Sequence, residues 1–395
     1  MLTEKSTALN SSQSRIEVID ALRGFAVMAI LLVHSLEHFI YPVYPDPANQ
    51  PAWLNLADSG VFSVIFTLFA GKAYAIFALL FGITFHIQYT NQQNKGKDFG
   101  GRFLWRLILL TGFATINAAF FPAGDVLLLF SITGLFLIFV RKLSDKTILI
   151  FAIILLLQPI EWFHYIAYLV NPEYKLPDLE VGAMYQEVAA YTKRGNWGEF
   201  IIGNITLGQK ASLLWAVGAG RFLQTAGLFM LGLLLGRKQL FISTQSTVRF
   251  WVTALIVSAV SFAPLYQLKA EISGDTLTGQ TVGVIFDMWQ KFAFTVVLVS
   301  SFVLLYESAK FRSLTSNLRF YGRMSLTNYI TQSLFGALIY FPIGLNLAPY
   351  CGYTVSLLIG FAILFLQISF CKYWFKKHKQ GPMESLWHKL TWIWK

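Results

Sequence analysis

Five ionisable side chains occupy one apolar stretch near the start of the chain: Asp20, Arg23, His34, Glu37 and His38. Ionisable groups are costly inside a bilayer, so those that occur there face a protein interior or water. Arg23 and His34 are 11 residues apart. At helical geometry this spacing places both on one face, about 16 Å apart along the axis. Asp20 and Arg23 are an i, i+3 pair that can neutralise itself.

The outer part of this stretch could perform acid–base chemistry. A carboxylate beside an imidazole fixes its tautomer and raises its basicity, as a general base requires. We therefore predict His34 as a base that Glu37 orients. Two other interpretations stay open: a structural polar cluster, and a metal site formed by His34, Glu37, His38 and His86. The sequence contains no spaced His or Cys motif for a metal, so we predict neither a metal nor a permanently bound cofactor.

Further cations lie in other apolar stretches. Lys72 begins the second stretch, and Arg221 lies near the middle of the sixth, too deep to reach the surface easily. We expect Arg221 to face a cavity and to have an anion or a carboxylate as its partner. Both cations could stabilise developing negative charge. Asp287 and Lys291, at i, i+4, predict an ion pair.

The ninth stretch carries a polar face. Ser325, Asn328 and Gln332 share one side of a helix by their i, i+3 and i, i+4 spacing, and Arg323 precedes them. We predict that this face lines a central cavity, where Arg323 and Asn328 contribute to substrate binding. The alternative is hydrogen bonding between helices.

The amino-acid composition predicts the class of structure that positions these residues. Of the 395 residues, 55% are hydrophobic and 13% are charged, against about 25% charged residues in soluble domains. This excludes a soluble enzyme, a disordered chain and a coiled coil, and it predicts an all-α polytopic membrane protein. The net charge of +11 reflects membrane topology rather than nucleic-acid binding. Cys351 and Cys371 lie at opposite ends of one predicted helix, too far apart to form a disulfide.

Ten apolar stretches are long enough to be read as membrane spans. They cover residues 19–40, 72–89, 103–121, 126–140, 147–170, 212–235, 250–267, 282–306, 326–347 and 353–374. Residues 61–70 are too few to cross and predict an interfacial or re-entrant segment.

Lys and Arg define the expected orientation of these spans. Of the 31 Lys and Arg residues, 22 fall in the termini and alternate loops and 5 in the opposite loops. The basic side is cytoplasmic by the positive-inside rule, so both termini are expected there. We divide the chain into a tail (1–18), one membrane domain (19–375) and a basic tail (376–395). Residues 171–210 form a long outer segment that either caps a substrate site or lies on the membrane surface.

Six short sequences carry a family resemblance over nearly the whole chain. They are DALRGFA (20–26), FALLFG (77–82), GDVL (124–127), GLFMLG (227–232), GRMSLTNY (322–329) and GPMESLW (381–387). On these residues the chain resembles the YeiB-like family of bacterial inner-membrane proteins, whose C-terminal part, here about residues 230–390, is the domain of unknown function 418. The resemblance implies a multi-pass protein of the bacterial inner membrane.

The first helix is also similar to that of the transmembrane acyltransferases, which include acyltransferase-3 proteins and heparan glucosaminide acetyltransferase. Acyltransferase-3 proteins have an Arg followed 11 residues later by a His thought to be catalytic, a spacing that Arg23 and His34 reproduce. The resemblance implies acyl transfer from cytoplasmic acyl-CoA to a hydroxyl or amine.

We expect a glycan, a lipid-linked molecule or another small molecule as acceptor, membrane lipids as partners, and no nucleic acid; a homodimer is left open. Asp20 and Arg23 would bind the donor with help from the other cations. The rival hypothesis is a non-enzymatic transporter or a lipid- or quinone-binding protein, in which the buried charges line a pathway.

Overall fold

The computed structural model describes residues 2–272 and 274–393, with side chains from Glu17 onward. All regular elements among these residues are helical, as the composition predicts. The first ten α-helices are α1 (Leu2–Leu36), α2 (Ala52–Phe69), α3 (Ala73–Gln93), α4 (Gly100–Ala118), α5 (Leu127–Thr133), α6 (Leu135–Val140), α7 (Asp145–Leu156), α8 (Pro159–Val170), α9 (Val181–Arg194) and α10 (Trp197–Gly203). The others are α11 (Gln209–Gly218), α12 (Arg221–Arg237), α13 (Gln245–Ile272), α14 (Leu277–Leu305), α15 (Ala309–Leu314), α16 (Ser316–Arg323), α17 (Ser325–Tyr340), α18 (Tyr353–Trp374) and α19 (Pro382–Thr391).

Several of these helices are long and apolar enough to cross a bilayer. Five segments meet that requirement alone, and two bent helix pairs raise the number to seven. The five are Glu17–Leu36, Ala52–Gln93, Gln245–Ile272, Leu277–Leu305 and Tyr353–Trp374. The chain is thus a membrane protein with several candidate crossings. The other three predicted spans coincide with α4, α5–α6 and α17, which are shorter or less apolar.

Two predicted spans are bent rather than continuous. The segment predicted as the sixth span breaks between α11 and α12, which meet at 77°. Gly220 at the break has a φ of +67°, a conformation that glycine adopts without steric cost. Arg221 is therefore the first residue of a helix, and not a mid-helix residue as the sequence suggested. The fifth predicted span bends by 48° between α7 and α8, where Pro159 begins a new helix.

A third break precedes α3. Residues 61–70, predicted to be a short interfacial or re-entrant segment, belong to the longer helix α2. The chain turns at Gly71, which has a φ of +75°, and α3 begins directly after Lys72.

Two of the helices that follow a break, α3 and α12, pack side by side and run in the same direction. Near their beginnings the Tyr74 hydroxyl donates to Gln224 Oε1 at 2.9 Å. Further along, a Cβ built on Gly82 would lie 2.1 Å from the Phe229 carbonyl oxygen. A Cβ built on Gly232 would lie equally close, 2.1 Å, to the Leu79 carbonyl oxygen. The backbones touch because these glycines lack side chains.

A second glycine contact joins the first helix to the C-terminal part of the chain. A Cβ on Gly24 would lie 2.0 Å from the Leu318 carbonyl oxygen, and one on Gly322 would lie 2.0 Å from the Asp20 carbonyl oxygen. These glycines belong to the DALRGFA and GRMSLTNY sequences. The sequences that carry the family resemblance therefore meet in pairs, at α1 against α16 and at α3 against α12.

Glu384 of the GPMESLW sequence caps the N-terminus of α17. Glu384 accepts hydrogen bonds from the backbone amides of Leu326 (2.8 Å) and Thr327 (3.1 Å) and from the Thr327 hydroxyl (2.6 Å). A carboxylate at a helix N-terminus satisfies amides that have no partner within the helix. Burial raises the pKa of Glu384, against the opposing effect of these hydrogen bonds. The two cysteines, Cys351 and Cys371, are free and buried, as their spacing predicts.

Substitution of Gly82 by Ala tests the α3–α12 contact. The new methyl group would overlap backbone atoms of α12, which cannot rotate away. We expect Gly82→Ala to destabilise the protein by about 1–3 kcal/mol, measured as a lower thermal midpoint in detergent. The matched control is Gly112→Ala on α4, where an added Cβ has no atom within 4 Å. Equal midpoints for the two variants would contradict the close packing.

Candidate functional site

His34 lines a cavity of about 900 Å³, here called the His34 cavity. The cavity lies among α1, α2, α3, α12, α13 and α14, and Tyr185 of α9 also lines it. His34 is only 8% exposed. Its ring contacts Phe121 with centroids 4.6 Å apart and Tyr329 at 6.0 Å. The Nδ1 of His34 is buried and has no hydrogen-bond partner among the described residues, which is unusual for a buried polar atom.

Glu37 lies against a different histidine from the one predicted. Its Oε2 is 3.7 Å from Nε2 of His38. The ring of His38 in turn lies edge-on to His34, with centroids 5.4 Å apart. Within the described part of the chain, no direct bond joins Glu37 to His34. Helical spacing brings Glu37, His38 and His34 close together, but the side-chain rotamers place the carboxylate beside His38.

Two predicted cations, Lys72 and Arg221, border the same cavity. Lys72 is buried, and its ammonium donates to the Thr67 carbonyl oxygen at 2.9 Å. The Arg221 guanidinium is stacked between Trp215 (4.3 Å) and Tyr74 (5.0 Å). Its buried Nε has no hydrogen-bond partner within the part of the chain that the structure describes. Neither cation forms an ion pair with any described carboxylate, so the expected cavity is present but the carboxylate partner of Arg221 is not.

Two further lysines and an aspartate also line the His34 cavity. Lys291 forms the predicted ion pair with Asp287, and Lys269 from α13 also lines the wall. Four cationic side chains therefore face two carboxylates, Glu37 and Asp287, around this space. The excess of positive charge favours an anionic occupant.

The long segment 171–210 contributes to the His34 cavity through one side chain. Tyr185 lines the wall and donates from its hydroxyl to the Ala123 carbonyl oxygen at 3.1 Å. Burial raises the pKa of Tyr185 to about 12, so the phenol stays neutral at physiological pH. Within residues 171–210, Tyr185 is the one residue that lines the cavity, so the roles of capping a substrate site and of lying on the membrane surface both stay open.

A separate cavity of about 370 Å³ surrounds Arg23 and is called the Arg23 cavity. Arg23 pairs with Asp20 at 2.9 Å, as predicted, and also donates to the Thr84 hydroxyl at 3.2 Å. Arg106 and Arg323 line the same space. This cavity is therefore basic with one ion pair already formed.

The Arg23 cavity continues into a wider groove. The groove has a volume of about 730 Å³ and shares Gln88, Arg106 and His388 with the Arg23 cavity. Lys95 and Lys97, from the loop between α3 and α4, lie along it. Together the two spaces form a continuous basic depression at the end of the protein opposite the His34 cavity.

Aromatic side chains separate the His34 and Arg23 cavities, which share no lining residue. Phe77 lines the Arg23 cavity, while Tyr74, one helical turn earlier, lines the His34 cavity. Both rings approach Phe130, with centroids 5.9 and 6.4 Å away. The tunnel that acyl transfer would need between Arg23 and His34 is therefore closed in this conformation by about one aromatic layer.

The predicted polar face of α17 is divided. Arg323 lines the Arg23 cavity, where it donates to the Lys379 carbonyl oxygen at 3.0 Å. Asn328, by contrast, is buried between helices and donates to the Tyr321 carbonyl oxygen at 2.9 Å. Asn328 therefore lines neither the Arg23 cavity nor the His34 cavity, because α16 and α18 cover the side of α17 that this side chain occupies.

The sequence did not single out several residues that line the cavities. Arg106, Glu384 and His388 border the Arg23 cavity because α19 folds back onto α4. The Arg106 guanidinium lies 4.2 Å from the Trp387 ring. The GPMESLW sequence was the available indication, although only the fold places it beside Arg23.

The possible metal site on the first helix requires at least three ligand side chains that converge. Among the described residues, no group of three or more His, Cys, Asp or Glu side chains converges to hold a metal ion. His34, Glu37 and His38 therefore do not form a ligand set in this arrangement.

Comparison with known proteins agrees with the resemblance seen in the sequence. Residues 235–394 match the family model described as a protein of unknown function, DUF418. The chain is 25% identical to YxaH of Bacillus subtilis, over 97% of this chain and 95% of that protein. It is 25% identical to YeiB of Escherichia coli, over 94% and 95%. A protein of Bacillus acidopullulyticus, encoded in the amylase 3' region, is 26% identical. All three are described as uncharacterized, and no solved structure matches the chain significantly.

Proposed function

We propose that this chain, a YeiB-like protein with a C-terminal DUF418 region, is a bacterial inner-membrane acyltransferase. In this proposal an acyl-CoA is the donor, and the acyl group passes to a hydroxyl or amine. The observation that carries the proposal is the placement of His34. His34 borders a large cavity, and its buried Nδ1 has no hydrogen-bond partner among the described residues. Arg23, on the same face of the helix, lines the basic Arg23 cavity.

The chemistry assigns one proton transfer to the protein. The acceptor oxygen or nitrogen attacks the thioester carbonyl, and His34 takes the proton of the attacking group. The carbon–sulfur bond then breaks, the acyl group remains on the acceptor, and CoA leaves as a thiolate that takes up a proton. Lys72 or Arg221, both on the same cavity, would stabilise the oxyanion that forms in between.

The donor would bind along the basic depression. Its phosphates would lie near Lys95, Lys97 and Arg106, and its pantetheine arm would enter past Arg23. The axial distance from Arg23 to His34, about 16 Å at helical rise, is of the right order for that arm. The arm must displace the aromatic layer at Phe77 for the thioester to reach His34.

The proposal includes ten crossings with both termini in the cytoplasm. The crossings are α1, α2–α3, α4, α5–α6, α7–α8, α11–α12, α13, α14, α17 and α18. The Arg23 cavity then opens to the cytoplasm, where acyl-CoA is made, and the His34 cavity lies toward the outer side. The bias of Lys and Arg in the loops supports this orientation.

A second candidate function is transport of a small anion. The observation in its favour is that the two cavities lie at opposite ends and share no lining residue. Broken helices such as α11–α12 are also common at transporter binding sites. A transporter would move its substrate without releasing CoA, so an assay of CoA release separates the two functions.

The role of His34 is tested by substitution with alanine. Purified protein in detergent is mixed with acetyl-CoA and an extract of bacterial envelope, which supplies acceptors, and free CoA thiol is measured. We expect His34→Ala to lower turnover by roughly 10²–10⁴-fold, the usual effect of removing a general base. His164→Ala, on α8 outside the cavity, serves as the matched control and should retain turnover.

Arg23→Ala should give a different result in the same assay. Removing a donor-binding cation should raise the KM for acetyl-CoA more than it lowers kcat. The unpaired Asp20 should also lower stability, which a thermal midpoint reports separately. Wild-type turnover by His34→Ala, or no CoA release by any form of the protein with acetyl- or longer acyl-CoA, would reject the acyltransferase and favour transport.

Cysteine labelling in intact cells tests the topology. Asn94 and Asn196 are both exposed, so Asn94→Cys and Asn196→Cys should react with soluble thiol reagents. We expect an impermeant reagent to label position 196 but not position 94 until the membrane is opened. The native cysteines are buried and should contribute little background. Labelling of both positions from the same side would refute ten crossings.

A further inference from the structure

The beginnings of α3 and α12 form an unusual feature of the His34 cavity. Both helices begin after a glycine with positive φ, Gly71 and Gly220. They run in parallel, so both N-termini lie at the same end. No side chain caps either N-terminus. Helix N-termini carry partial positive charge and unpaired amides, which favour an anion.

Cationic side chains stand at these two N-termini. Lys72 immediately precedes α3, and Arg221 is the first residue of α12. Both line the cavity, and neither has a carboxylate partner among the described residues. The buried Nε of Arg221 also has no hydrogen-bond partner in residues 17–272 and 274–393. Lys72 is 5% exposed, and a buried cation is stabilised by a nearby negative charge, so this part of the cavity favours an anionic ligand.

The wall of the cavity indicates where that anion comes from. Ser63 and Thr67 of α2 and Tyr266 of α13 line the cavity, and all three are exposed on the surface of the protein. They lie on segments apolar enough to span a bilayer. These exposed lining residues indicate an opening of the cavity between α2 and α13, on segments that are candidates for crossing the membrane.

The surface beside this opening suits hydrocarbon. Trp53, Leu56 and Val64 on α2, and Val257 and Val260 on α13, are exposed apolar side chains. A molecule with a charged head and an apolar tail could place the head between α3 and α12 while its tail remains among lipids.

We propose that the His34 cavity binds the phosphate headgroup of an amphiphile that enters from the membrane between α2 and α13. The Arg221 guanidinium and the Lys72 ammonium bind the phosphate oxygens, aided by the N-termini of α3 and α12. Where the proposed acyl transfer holds, this phosphate-bearing amphiphile is the acceptor. The binding site itself does not depend on catalysis.

Native mass spectrometry in a non-ionic detergent, without acyl-CoA, tests the proposal. The probes are dioctanoyl phosphatidic acid, dioctanoyl phosphatidylcholine and glycerol 3-phosphate. We expect one phosphatidic acid per chain, bound at least about tenfold more tightly than either of the others. Arg221→Gln and Lys72→Met should each weaken its binding by about tenfold or more, as expected for losing a charge-assisted hydrogen bond.

Three controls keep the test decisive. Lys210→Met removes an exposed cation outside the cavity and should bind like the wild type. Arg221→Lys keeps the charge and should recover part of the affinity. Thermal midpoints identify variants that fail to fold, and in that case Arg221→Lys and Lys72→Met carry the comparison.

Two results would overturn the proposal. Wild-type affinity in both Arg221→Gln and Lys72→Met would show that the anion binds elsewhere. Equal affinity for glycerol 3-phosphate or for phosphatidylcholine would assign the site to a soluble anion or to lipid without charge selection. Binding of phosphatidic acid without any CoA release would leave this inference intact and reject the acyltransferase.

Discussion

The close backbone contact between α3 and α12 is the constraint on which the rest of this structure depends. Gly82 and Gly232 let the two helices touch along their length, and the breaks at Gly71 and Gly220 let both begin at the same depth. Polar backbone ends are tolerated inside a membrane only where protein or a polar cavity satisfies them. The His34 cavity meets this need, and it collects Lys72 and Arg221 because they stand at those ends.

The first helix, α1, extends from the His34 cavity to the Arg23 cavity at the opposite end of the protein. Gly24 brings α1 against α16, so Arg23 faces a basic space that α19 completes. His34 lies on the same face near the other end of the helix. Tyr74, Phe77 and Phe130 form the layer between the two spaces. Movement of this layer would join the two spaces for acyl transfer, whereas alternate opening of the two ends would serve transport.

Much of this arrangement could be predicted from the sequence, for identifiable reasons. The apolar stretches predicted an all-helical membrane protein because hydrophobic length is a local property. The 11-residue spacing placed Arg23 and His34 on one face because helical geometry is regular. The sequences that carry the resemblance to YeiB-like proteins contain Gly24, Gly82, Gly232 and Gly322, but only the fold shows that these glycines lie at close helix contacts.

The rest depended on tertiary packing that one sequence does not reveal. Arg221 looked like a mid-helix residue, because nothing local distinguishes Gly220 at a 77° break from glycine in a straight membrane helix. Asn328 looked like a cavity residue, although α16 and α18 cover it. Glu37 was assigned to His34 by spacing, whereas its rotamer pairs it with His38.

The most direct measurement is a structure of the protein with a non-hydrolysable acyl-CoA analogue in a lipid nanodisc. If acyl transfer follows the proposed route, we expect nucleotide density near Lys95, Lys97 and Arg106. The Phe77 side chain should be displaced, and the pantetheine arm should end beside His34. Density for the analogue anywhere else, or an arm that stops at the Arg23 cavity with Phe77 unmoved, would contradict it.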